Sequence, residues 1–113
     1  MSWEKEIKQI REREELALKQ GGKDSIIKHH KKGRKTLRER FDTILDKDSF
    51  DEVGRISGSA TYDDKGDLEN FIPANFLLGF GKINDRQVII GGEDFTLKGG
   101  SPNPAGLRKS IYT

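Results

Sequence analysis

The stretch that most restricts the fold is Phe76–Gly91, "FLLGFGKINDRQVIIG". Two runs rich in Phe, Leu, Val and Ile are separated only by Asn84-Asp85. Both separating residues tolerate the left-handed backbone that a two-residue hairpin turn needs. The pattern predicts antiparallel strands over Phe76–Ile83 and Arg86–Gly91. Val88, Ile89 and Ile90 are consecutive apolar residues, which predicts a strand covered on both faces. Gly79 and Gly81 inside the first strand require a bend or a close neighbour. No helix follows them, so they are not a dinucleotide-binding fingerprint. A chain containing this ribbon must also build a layer that covers it.

One candidate cover lies upstream. Thr36 to Glu39 reads T-L-R-E, a capping box in which each side chain satisfies a backbone N–H of a helix start. Leu37, Phe41, Ile44 and Leu45 then fall at i, i+4, i+7 and i+8, one apolar face expected to dock on the hairpin. Residues 2–20 also read as a helix, with Trp3, Ile7, Ile10 and Ala17 at helical spacing and Glu14 interrupting the stripe. Gly21-Gly22 stops it. Asp24 or Ser25 caps a second short helix that ends at Gly33. Residues 1–47 therefore form a helical segment and residues 48–113 a β layer. In that layer, Ser49–Arg55 and Phe95–Leu97 read as short strands. Ser57–Asn70 is Gly-, Ser- and Asp-rich, with a turn expected at Asp63–Gly66. A Gly/Pro loop from Gly99 to Gly106 precedes a helix starting at Leu107.

The 113 residues contain no Cys, which excludes a disulfide framework and a thiolate metal site. No apolar run approaches a membrane span, and no apolar signal core opens the chain, so a soluble cytoplasmic protein is expected. The net charge of +2 hides an asymmetry. Residues 1–47 hold 14 Lys/Arg against 9 Asp/Glu, and residues 48–113 hold 7 against 10. The front half thus offers a positive surface to an anion.

Seven of those cations are Lys28, Lys31, Lys32, Arg34, Lys35, Arg38 and Arg40. They read equally as a phosphate site, helped by backbone N–H groups at the helix start near Thr36, or as a solvated helical turn. In the second reading Arg38 and Arg40 pair with Glu39, Asp42 or Asp46. Nucleic acid is disfavoured, because no aromatics interleave with the run. Adjacent His29 and His30 point about 100° apart on a helix and do not share a metal ion. Glu93 and Asp94 face opposite sides of a strand, so they are not a dyad; one is expected to cap the following turn. Gly99-Gly100-Ser101 offers loop N–H groups to an oxyanion, a weak signal alone.

In order along the chain, Gly21-Gly22-Lys23, Lys32-Gly33, Thr36, Arg38-Glu39-Arg40, Leu45-Asp46, Ser49-Phe50, Glu52 and Gly54 are followed by Gly79, Gly81, Ile83, Arg86, Val88, Asp94-Phe95-Thr96 and Gly99-Gly100-Ser101. This series resembles the N-terminal part of the biotin-dependent acyl-CoA carboxyltransferases, the carboxyltransferase subunits of propionyl-, methylcrotonyl- and acetyl-CoA carboxylases and related decarboxylases. The resemblance implies an α/β protein, α+β in this fragment, with N-terminal helices and the first strands of a crotonase-like ββα fold. It implies carboxyl transfer between carboxybiotin and an acyl-CoA. In that chemistry backbone N–H groups stabilise an enolate oxygen, and their segments lie downstream of Thr113. No catalytic or metal-binding residue is therefore expected within these residues, and the chain alone is expected to be inactive. Biotin is expected on a separate carrier. The implied partners are an acyl-CoA, biotin carboxylase and biotin carboxyl carrier subunits, and further copies of the chain. Lys32, Arg34, Lys35 and Arg38 become candidates for the CoA phosphates. Ser101-Pro102-Asn103-Pro104 departs from the family pattern, which runs through small residues into a helix bearing a Lys, here matched to Lys109. A decarboxylase subunit of the same family and a non-enzymatic docking module remain alternatives.

Overall fold

The computed structural model describes residues 2–97, 99, 101 and 103–111. Among the described residues the elements run in order α1 Glu4–Leu18, α2 Lys23–Lys31, α3 Leu37–Ile44, β1 Asp51–Glu52, β2 Gly58–Tyr62, β3 Leu68–Pro73, β4 Phe76–Ile83, β5 Arg86–Glu93 and α4 Pro104–Ile111. The mixture of helices and antiparallel strands is the fold class expected from the sequence.

The hairpin of β4 and β5 is the centre of the structure. Its register runs from Phe76↔Glu93 to Ile83↔Arg86. Asn84 and Asp85 both have positive φ, 50° and 66°, as a two-residue primed turn requires. Asp46 fixes this turn from outside: its carboxylate accepts from Asn84 N at 3.0 Å and Asp85 N at 2.7 Å. The end of α3 is thereby tied to the tip of the ribbon. β1 adds to the free edge of β4, giving a sheet ordered β1-β4-β5.

α3 lies across one face of this sheet. Thr36 accepts from Glu39 N at its start, as the capping box predicts. Phe41, Leu45 and Leu77 form the buried core, with Leu37, Phe50, Ile83, Val88 and Ile90 packed around them. The Phe41 and Phe50 rings meet edge to face at 5.4 Å. The strand glycines make the approach possible. A Cβ on Gly81 would lie 2.8 Å from a Leu45 methyl, and one on Gly79 would lie 2.4 Å from the Asp51 carbonyl oxygen.

Several expectations are corrected. Ile44 sits on the outer side of α3 and is 53% exposed, so the apolar face is Leu37, Phe41 and Leu45. Alternation puts Val88 and Ile90 under α3, while Ile89 points to the other face and is 65% exposed. Ser57–Asn70 holds more than its expected turn: β2 and β3 form a second hairpin around Asp63–Gly66, where Asp63 accepts from Lys65 N and Asp67 N. β2 (GSATY) carries no large aliphatic residue, and Phe71 and Ile72 of β3 are adjacent rather than alternating, which conceals the strand period. Phe95–Leu97 forms turns rather than a strand. α4 begins at Pro104, not Leu107, because proline fits the first helical turn, where no N–H is needed. Asn103 caps it, accepting from Gly106 N at 2.7 Å.

α1 packs along β3. Arg13 donates to the Tyr62 hydroxyl at 3.1 Å and lies 5.9 Å from the centre of its ring. Of the predicted apolar stripe only Ala17 is buried, and Trp3, Ile7 and Ile10 face outward.

Candidate functional site

The motif residues after β5 serve as a joint. Asp94 is buried, and its Oδ1 accepts from Thr96 N at 2.9 Å and Thr96 Oγ1 at 2.6 Å. Thr96 Oγ1 in turn accepts from Gly21 N at 2.9 Å. The Gly-Gly between α1 and α2 is thus fastened to the end of the central ribbon. Asp94 is the acid that caps the turn. Asn75, buried and not singled out in the sequence, joins the same region: its carbonyl accepts from Asp94 N, and its Nδ2 donates to the Ser101 carbonyl. Gly99 has positive φ and is exposed, and Gly100 lies outside the described residues. Phe95 stands between two buried neighbours yet is 55% exposed.

Phe95 points the way to a cleft of about 410 Å³ lined by His29, Arg34, Lys35, Leu37, Arg40, Gly92, Glu93 and Phe95. Its walls are the end of α2, the start of α3 and the end of β5. Two of the four predicted phosphate residues, Arg34 and Lys35, are brought together here. Lys35 donates to Thr43 Oγ1 at 3.0 Å, which lays its ammonium along α3. Arg34 and Arg40 are exposed, and no side-chain hydrogen bond or ion pair engages either of them among the described residues. The positive end of α3 opens beside them. Lys32 is exposed and does not line the cleft.

Arg38 points elsewhere. Its guanidinium forks onto Glu52 of β1, with bonds of 2.8 and 2.9 Å, and Arg55 adds a third at 2.9 Å. The Glu52 side chain is only 1% exposed. Burial pushes its carboxyl up, but the bonds to Arg38 and Arg55 outweigh burial and hold it below the usual carboxylate value. Lys109 of α4 donates to the Gly54 carbonyl at 3.1 Å. Burial lowers its ammonium, Glu52 raises it, and Arg38 lowers it again, for a net depression. This cluster joins α3, β1 and α4. It was missed in the sequence because its carboxylate lies 14 residues from Arg38, outside the helix whose acids were the obvious partners.

His30 and Glu39 close the back of the α2–α3 turn at 2.6 Å. That bond, then Thr36, hold the Glu39 carboxyl below its usual value. His29, half-buried, faces the cleft instead. Among the described residues no group of His and acidic side chains is arranged to hold a metal ion, and no helix is long and apolar enough to cross a membrane.

A small antiparallel sheet thus lies under an N-terminal helical layer, beside a cationic cleft that holds no nucleophile constellation among the described residues. The chain belongs to the carboxyl transferase domain family, whose pattern matches residues 28–113. It is 37% identical over 102 residues to the carboxyltransferase subunit of propionyl-CoA carboxylase from Haloferax mediterranei, covering 89% of this chain and 20% of that protein. It is 33% identical to the methylmalonyl-CoA carboxyltransferase 12S subunit of Propionibacterium freudenreichii subsp. shermanii, covering 95% of this chain and 20% of that protein. The solved transcarboxylase 12S hexamer with methylmalonyl-coenzyme A bound aligns with a TM-score of 0.78 and 31% identity, covering 99% of this chain and 22% of that one. The chain therefore spans about a fifth of the length of these relatives.

Proposed function

We propose that the chain provides the CoA-facing first layer of a carboxyltransferase that moves a carboxyl group between carboxybiotin and an acyl-CoA. The observation that carries this reading is the cleft at the α2–α3 turn. There, Arg34 and Arg40, two guanidinium groups that no carboxylate engages among the described residues, stand at the positive end of a helix in a chain of this family. Guanidinium groups bind phosphate oxygens in pairs, and CoA carries a pyrophosphate and a 3′-phosphate. Of the four residues named from the sequence, the proposal keeps Arg34 and Lys35, adds Arg40, and assigns Arg38 to the Glu52 cluster and Lys32 to the solvated surface. CoA, with its several phosphate charges, offers such a set of cations more negative charge than the single carboxylate of carboxybiotin, so the cleft fits the CoA side of the reaction. Biotin belongs on a separate carrier. The partners are a biotin carboxylase, the carrier and further copies of the chain, the last supported by the hexameric 12S relative.

Titration with CoA and with dephospho-CoA tests the reading. CoA should bind more tightly, and Arg34→Ala and Arg40→Ala should remove most of the difference. In an enzyme containing this chain, each substitution should raise KM for acyl-CoA by a factor equivalent to about 1.5–3 kcal/mol of lost binding, with little change in kcat, since the phosphates are the same in ground and transition states. Equal binding of CoA and dephospho-CoA, together with unchanged KM, would return the basic run to a solvated turn.

A further inference from the structure

The outward stripe of α1 is left uncovered by the rest of the described fold. Residues 2–8 are all exposed, and half-buried positions begin only at Gln9, so the first half of the helix stands clear of the body. Trp3 is 64% exposed, Ile7 46% and Ile10 44%. The Trp3 carbonyl accepts from Ile7 N at 2.9 Å, which puts Trp3 on the helical spiral. Trp3, Ile7, Ile10 and Glu14 then alternate in steps of four and three, the spacing of a seam between paired helices. The charges beside that seam are ordered. Glu4 and Arg11 border one side, and Glu6 and Arg13 border the other. A lipid surface is a poorer match for this helix. It carries five Glu against four Lys/Arg, so it offers no excess of cations to anionic headgroups.

We propose that α1 is a self-complementary contact that pairs antiparallel with α1 of a second copy of the chain. One register satisfies every position of the seam: Ile7 packs on the partner's Ile10, and Trp3 packs on the partner's Glu14. Two-fold symmetry makes each contact twice. The same register sets Glu4 beside the partner's Arg11 and Glu6 beside the partner's Arg13, so opposite charges meet on both sides. Arg13 donates to the Tyr62 hydroxyl, and its guanidinium has donors to spare after that bond. Glu14, the residue that interrupts the stripe, becomes the acceptor for the indole N–H of the partner's Trp3, a group that needs one when covered. A parallel pair fails at that residue, because it sets Glu14 against Glu14 within the seam. The paired length is about 17 Å by the rise of an α-helix, so the contact belongs with small, reversible interfaces. It gives the further copies proposed above as partners a specific seat, and it stands apart from the CoA reading.

Sedimentation equilibrium tests the pairing on the full chain carrying Ile89→Lys, which takes the exposed sheet face out of the comparison. Arg11→Glu and Glu4→Arg should each weaken the dimer about tenfold, because each turns two attractions into two repulsions. The double variant Glu4→Arg/Arg11→Glu should restore the dimer, which a merely disturbed helix would not do. The sequence has no Cys, so single cysteines report the register. A mixture of Ile7→Cys and Ile10→Cys chains should oxidise in air mainly to the mixed disulfide dimer. Disulfides formed mainly between like chains are the product of a parallel pair and would overturn the proposal. So would a chain that stays monomeric at every concentration, or one that binds phosphatidylglycerol vesicles as a monomer and loses that binding with Ile7→Lys. An oligomer indifferent to both charge variants would remove α1 from the interface and leave the reading of further copies in place.

Discussion

Gly21→Ala is the sharpest perturbation of this fold, because the conformational argument and the packing argument oppose each other. Gly21 does not have positive φ, so its backbone suits any residue. Replacing such a glycine usually stabilises by about 0.4–1 kcal/mol, through a less flexible unfolded chain. Here the new Cβ would lie 1.8 Å from the Thr96 carbonyl oxygen and 2.4 Å from its carbon. The obstacle is backbone, and that backbone is fixed by the bonds of Asp94 to Thr96. The α1–α2 junction must therefore move away. Overpacking of this kind costs about 1–3 kcal/mol. Moving the junction also breaks the 2.9 Å bond from Gly21 N to Thr96 Oγ1, a further loss of about 1 kcal/mol. After the unfolded-state gain is subtracted, the net cost is about 1–3 kcal/mol, or a fall of roughly 4–12 °C in Tm for a domain of this size.

Gly22 is the control. It has φ of 92° and ψ of 165°, and a Cβ there would meet nothing within 4 Å. That backbone region is almost restricted to glycine, so Gly22→Ala should cost about 1–3 kcal/mol from strain alone. Thermal denaturation followed by circular dichroism measures both variants. Adding Thr96→Ser to each should leave their cost unchanged relative to Thr96→Ser alone, because the clash at Gly21 is with the Thr96 main chain and Gly22 has no clash. A Gly21→Ala variant as stable as wild type would refute the joint between the helical layer and the ribbon.

Phe41→Ala should cost about 3–5 kcal/mol, whereas Ile44→Ala on the same helix should change stability by less than about 0.5 kcal/mol; equal losses on chemical denaturation would contradict the assigned face. Glu52→Gln should cost about 3 kcal/mol at neutral pH by leaving Arg38 without its buried counter-charge. Because the folded Glu52 carboxyl lies below its reference value of 4.5, its contribution is present above that pH and is lost as pH falls through the depressed value; the acid limb of Tm against pH should therefore be shallower in Glu52→Gln. Ile89→Lys should leave Tm nearly unchanged and reduce self-association in sedimentation velocity, since Ile89 and its cross-strand neighbour Phe80 both lie on the uncovered sheet face.

What was legible in the sequence was local. The Asn84-Asp85 turn, the Thr36 cap and the Leu37–Phe41–Leu45 stripe each depend on contacts within one or two helical turns or across a two-residue loop, and each formed where its pattern places it. Ile44 was misplaced because i+7 and i+8 neighbours lie about 100° apart, and only the sheet decides which one it covers. The β2–β3 hairpin escaped because β2 carries no aliphatic stripe and the adjacent Phe71 and Ile72 break the alternation of β3; its register is fixed by backbone pairing and the Asp63 turn. The sequence motifs after β5 were visible, but not their purpose. Gly21 and Thr96 are 75 residues apart, and no local pattern states that one must lack a Cβ because the other's carbonyl occupies the space.

The basic run between α2 and α3 makes the same point about function. Read as a string, Lys32 to Arg40 is one patch with seven cations counted from Lys28. In the fold it is divided by what each side chain finds opposite. Arg38 faces a strand that presents Glu52, and the pair disappears into the structure. Lys35 finds Thr43 one helix face away. Arg34 and Arg40 face the end of β5, where the chain presents Phe95, Gly92 and a single acid, Glu93. Two guanidinium groups beside one carboxylate leave a surplus of positive charge in a concave, partly apolar place, and that surplus is what an anionic ligand would neutralise. Charge density along the sequence locates the neighbourhood of such a site. Which cations remain available is decided by carboxylates that the topology brings in from elsewhere, so the division between arginines paired within the fold and arginines left facing the cleft emerges only with the sheet in place.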